Sequence, residues 1–155
     1  MKKSAKLSIL FAFALGACVS SLAHQAPPIK AVASSQGPSV IHIGDAKRVG
    51  VPSGKATLTH LAKGKNAFLG KLRMNAQASV PLHRDATEEY IHILEGSGTM
   101  SIDGRDYKVG AGTTVYMPAN AEVKFQNGPE ELIALQVFAG PEPSAKYDNW
   151  VELKN

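Results

Sequence analysis

The chain has 155 residues, 44% of them hydrophobic, which is enough for one compact core and too few for two ordinary domains. Of its 17 Lys and Arg, three stand at the very start (Lys2, Lys3 and Lys6), and the rest nearly balance 13 Asp and Glu. There is no basic stripe and no interleaving of aromatic with basic residues, so nucleic acid is excluded as an expected partner.

In chain order, "MKKSAK" is a positive leader and "LSILFAFALGA" an apolar run too short for a stable membrane span. With the small residues that follow, they predict a secretory signal. "LGAC" at 15–18 resembles a bacterial lipobox, which implies that the signal occupies 1–18 and that Cys18, the sole cysteine, is lipidated. Several acyl chains on one cysteine give a stable membrane anchor. Val19 in place of Asp implies, by the same resemblance, an outer-membrane lipoprotein facing the periplasm. The alternative is ordinary cleavage after "SLA" at Ala23, leaving a soluble periplasmic or secreted protein. Residues 19–39, rich in Pro, Ala and Ser, read as a flexible tether.

From Val40 the texture changes to short β-branched and apolar runs punctuated by Gly, Pro and Asn. No window keeps a helical period, so the expected class is all-β. The expected strands are "VIHI", "ATLTHL", "AFLGKLRM", "EYIHILEG", "GTMSID", "RDYKV", "TTVYMP", "EVKFQN" and "LIALQVF". Asp103-Gly104 predicts a tight hairpin, because a type I′ turn needs positive φ at both central residues. Short strands at this spacing predict a sandwich or barrel over 40–140. A tail over 141–155, "KYDNWVEL" included, is expected to pack Trp150 against it.

Residues 77–127 resemble the cupin superfamily of small jelly-roll barrels. Its first motif runs G-x5-H-x-H-x3,4-E-x6-G, and His83, Asp85, Glu89 and Gly96 fall at its spacing. Gln77 stands for the opening Gly, and Asp85 for the second His. Its second motif runs G-x5-P-x-G-x2-H-x3-N, which Gly112, Pro118 and Asn127 fit, with Asn120 for the middle Gly and Val123 for the His. The resemblance implies a single-domain cupin β-barrel whose metal site keeps His83, Asp85 and Glu89 and has lost its fourth ligand at Val123. It also implies a homodimer as one possible assembly, since cupin tails often contribute to such contacts.

The residues themselves support this site. In a strand, positions i and i+2 share a face, so His83 and Asp85 point the same way. Glu89 opens "EYIHIL", where Ile91 and Ile93 share its face, so all three are expected inside. Two carboxylates in an apolar cavity repel unless a cation compensates them. One nitrogen and two oxygens form a hard donor set, which by ligand type favours Mn2+, Fe2+ or even Mg2+ over copper, although affinity order alone favours later metals; the expected cofactor is a divalent ion, Mn, Fe, Ni or Zn. The other reading is a metal-free barrel, with His83 bonded to Glu89, Arg84 paired outside with Asp85 or Glu88, and Val123 completing an apolar lumen. Without metal, His83 and Glu89 remain candidates for acid–base work.

Tyr116, Gln136 and Val123 are expected to line a ligand pocket. His92 should face away from Glu89, and His42 and His60 read as strand residues of unfixed register. Three functions follow: a small-molecule binding barrel, a metal-dependent dioxygenase, isomerase or lyase of the envelope, and an inert structural or interaction barrel. Fold alone does not choose among them.

Overall fold

The computed structural model describes residues 37–140 and 142–154. The expected signal with Cys18, the cleavage point at Ala23 and the tether up to residue 36 lie outside the described residues. Among the described residues eleven strands form: β1 Arg48–Gly50, β2 Ala56–Lys63, β3 Phe68–Met74, β4 Ser79–His83, β5 Glu89–Glu95, β6 Ser97–Ile102, β7 Arg105–Gly110, β8 Thr114–Met117, β9 Val123–Asn127, β10 Leu132–Phe138 and β11 Val151–Leu153. A 3-10 helix, Glu142–Asn149, precedes the last.

The strands build two antiparallel sheets, one in the order β11-β1-β2-β3-β10-β5-β8 and the other β4-β9-β6-β7. This is the expected all-β architecture, and every expected run from "ATLTHL" onward is a strand. The period-2 pattern is plain in β10, where Leu132, Ala134, Gln136 and Phe138 are buried and the residues between them half-buried. Phe68, Phe138, Leu58 and Ile93 are almost wholly buried, each stabilising the fold by about 1.5–3 kcal/mol relative to exposure.

The expected strand at "VIHI" does not form. Val40 is fully exposed and Ile41 and Ile43 about half so, and among the described residues no strand pairs with them. His42 instead caps a 3-10 turn, Ile43–Asp45, its Nδ1 accepting from the Gly44 amide at 3.1 Å. The sheet begins at Arg48.

The hairpin at Asp103-Gly104 forms as expected, with φ of 47° and 79° and Ile102 paired to Arg105. Gln77 and Asn120, which stand where the cupin motifs have Gly, keep the left-handed backbone at φ 59° and 63°. A non-glycine residue there costs about 1–2 kcal/mol, least for Asn, so the turn geometry has survived loss of the glycines. Asn127, the last motif position, is buried and donates Nδ2–H to the carbonyls of Asn75 (2.8 Å) and Glu130 (2.9 Å). It ties two loops together and does not reach the lumen.

Candidate metal centre and lumen

Between the sheets lies a cavity of about 450 Å3. Its walls are mostly apolar, built from Leu72, Met74, Ile91, Ile93, Met100, Met117, Val123, Phe125 and Leu132, and its polar side carries His83, Glu89, Gln136, Lys146 and Tyr147. Inward alternation along β5 brings Glu89, Ile91 and Ile93 to this cavity together, as expected.

His83 ends β4, and Asp85 follows it beyond the strand. The loop is fixed because the Asn120 amide donates to the Asp85 carbonyl at 2.7 Å. Arg84 points away and bonds the Asn120 carbonyl (2.6 Å) and Glu122 (2.8 Å), so the expected pairing with Asp85 or Glu88 is replaced by one with Glu122. One ligand atom each from His83, Asp85 and Glu89 lie within 4.8 Å of one another. On a common ion with bonds of about 2.1 Å, ligand atoms are at most about 4.2 Å apart, so small side-chain movements bring these three onto one ion.

The tautomer of His83 suits that role. Its Nδ1 lies 2.9 Å from the Pro81 carbonyl, which only accepts, so Nδ1 carries the proton and Nε2 is left with a free lone pair. Nε2 faces Asp85 Oδ2 at 3.7 Å.

Glu89 is 4% exposed. Its expected partner in a metal-free barrel was His83; the structure instead has Gln136 Nε2 donating to Glu89 Oε1. Gln136 is itself fixed by Tyr147, whose hydroxyl donates to Gln136 Oε1 at 2.6 Å. Burial pushes the Glu89 carboxyl above its usual range, against the opposing pull of Gln136 and Lys146. Burial and the neighbouring Glu89 push the Tyr147 phenol far up, so it stays a donor.

Val123 and Gln136 line the cavity. Tyr116 does not. In β8 the inward residue is Met117, which pairs with Glu89, and alternation turns Tyr116 outward, 48% exposed. There its hydroxyl bonds Glu88 at 3.0 Å and its ring meets Tyr90. His92 also faces outward, on Thr114 Oγ1 at 2.8 Å. His60 is half-buried edge-on to Phe68.

Sequence reasoning missed two residues, Lys146 and Tyr147. Both come from the helix Glu142–Asn149, which brings Tyr147 into the core and the Lys146 ammonium to Asp85 Oδ2 at 2.8 Å. The aromatic pair Tyr147 and Trp150, one helical turn apart in a polar tail, was the available signal; they meet edge-on at 4.9 Å.

Residues 70–138 match the family described as the cupin domain. Dimethylsulfoniopropionate lyase DddW of Ruegeria pomeroyi is 42% identical over 57 residues, covering 37% of this chain and 38% of that protein. An uncharacterized protein of Methanocaldococcus jannaschii is 36% identical over 69 residues, 40% of this chain and 55% of the relative. The match thus spans well under two thirds of either relative. Among solved structures, an RmlC-like cupin from Shewanella frigidimarina superposes with a TM-score of 0.60 at 16% identity, over 66% of this chain and 92% of that one. At that identity the likeness concerns the fold. The described domain is a cupin-type jelly roll, its cupin match running from Gly70 in β3 to Phe138 at the end of β10 and enclosing His83, Asp85 and Glu89.

Proposed function

We propose that the barrel binds a small organic molecule in its lumen through a divalent cation held by His83, Asp85 and Glu89. The observation that carries this reading is the convergence of those three ligand atoms, with His83 Nδ1–H donating to the Pro81 carbonyl. Such an ion supplies Lewis-acid polarisation of a bound oxygen. The chain does the rest: Gln136 holds one oxygen of Glu89 and leaves the other for the ion, and the apolar walls exclude water. Val123 contributes no ligand, so several coordination positions stay open to a substrate.

The same site supports a second reading, a metal-dependent enzyme. The relative named as a dimethylsulfoniopropionate lyase favours lyase chemistry over dioxygenase or isomerase chemistry. Export and anchoring through Cys18 belong to the proposal as well and rest on the "MKKSAK" leader and "LGAC"; membrane association that survives Cys18→Ser would refute the anchor.

Elemental analysis of the full chain beside His83→Ala tests the centre. About one divalent ion per chain, lost in the variant while its β-type circular dichroism persists, is the expected result. If neither protein holds metal after incubation with Mn2+, Fe2+, Ni2+ or Zn2+, the centre is not a metal site.

A further inference from the structure

Among the described residues two lysines line the lumen, Lys55 and Lys146; Lys55 is exposed to solvent, whereas Lys146 is half-buried and its charge is left unanswered by the metal reading. Its ammonium lies 2.8 Å from Asp85 Oδ2 and 4.6 Å from the centroid of the Phe138 ring. Among the described residues, Asp85 is the carboxylate within ion-pair distance of it. The oxygen it holds is the same Oδ2 that faces His83 Nε2. A divalent ion held by His83 and Asp85 would share the Asp85 carboxylate with the Lys146 ammonium, and the two positive charges would repel.

The charges then decide what the lumen accepts. Two carboxylates balance a divalent ion, with His83 neutral. With the Asp85 charge taken up by the ion, Lys146 is left as a half-buried positive charge at the wall of an apolar cavity. The Phe138 ring face offers it partial compensation only. What remains unmatched is one positive charge, beside an apolar volume of about 450 Å3 bounded by Ile91, Ile93, Met100 and Phe125.

We propose that the ligand of the metal-loaded barrel is a small organic monoanion, a carboxylate on an apolar body, whose charge is taken by Lys146. The proposal rests on the metal reading above. It makes Lys146 both a competitor of the metal for Asp85 and the specificity-determining residue for the anion. Removing it should have opposite effects on the two ligands.

The test uses the full chain loaded with Mn2+ and three probes of one shape: hexanoate, hexanamide and hexylamine. Trp150, the only tryptophan, lines the cavity and reports binding by fluorescence, with calorimetry as a check. Hexanoate should bind at least about tenfold tighter than hexanamide, the worth of one hydrogen bond to a charged group, and hexylamine should not bind. Lys146→Gln should abolish that preference while holding Mn2+ as tightly as the wild type or more so, and Lys146→Arg should retain the preference. Equal binding of acid and amide, a preference that survives in Lys146→Gln, or weaker Mn2+ binding by that variant overturns the anion proposal while leaving the metal centre in place. A wild-type chain that takes up none of the four ions overturns both.

Discussion

Val123 stands directly opposite His83 in the antiparallel pairing of β4 with β9, and both side chains line the lumen. Cross-strand partners have Cβ atoms about 4.5–5.5 Å apart, within the reach of two imidazoles sharing one ion. Val123→His should therefore add a ligand and raise affinity for Ni2+ or Zn2+ by about tenfold or more, measured by competition with a chromophoric chelator. The cavity gives the larger ring room, so the fold should persist. An unchanged affinity would show that this wall lies outside the coordination sphere.

The Tyr147 hydroxyl gives a second, sharper handle. Tyr147→Phe leaves the ring on Trp150 and Phe68 but strands Gln136 Oε1 in a buried place. That should cost about 1–3 kcal/mol, seen as a drop of several degrees in Tm. Because Gln136 bridges Tyr147 and Glu89, Gln136→Leu should cost less in the Tyr147→Phe background than in the wild type. Additive losses in this double-mutant cycle would mean that the three side chains do not act as one chain of bonds.

These residues also mark where the sequence was legible. Runs such as "LIALQVF" and "EYIHIL" carry their own alternation, so strand type, inward face and the place of Glu89 could be read locally. "VIHI" carries the same composition but finds no neighbouring strand, and composition does not record that. β1 and β11 have the opposite character: three residues each, β1 strand-like because it pairs with both β2 and β11, and β11 because it pairs with β1 across about a hundred residues of chain. The metal candidates were legible because three sit within seven positions; strand geometry places His83 and Glu89, but Asp85 lies beyond β4, where the expected strand alternation does not apply, and its loop is held by the Asn120 amide. Tyr116 failed for want of register, which pairing with β5 sets. Lys146 left no mark, since a lysine in a polar tail looks solvated until the helix folds back over the barrel.

His60 connects burial to pH. Its Nε2 is buried without a hydrogen-bond partner, and its ring stands edge-on to Phe68 and Tyr147. Burial, then Lys47, lowers its pKa below the ordinary 6.5, with Lys63 adding to this and Asp148 opposing it. A histidine depressed in the fold binds its proton more readily when unfolded, so the unfolded chain takes up protons first as pH falls through about 6.5. Stability is thus fully present above that value and is lost progressively from there down to the lower folded value. His60→Phe keeps the aromatic contacts and removes the titration. Urea unfolding at pH 7.5 and pH 5.5 should show a larger loss for the wild type than for this variant. Equal losses would place the acid sensitivity in other groups and leave His60 as a packed ring alone.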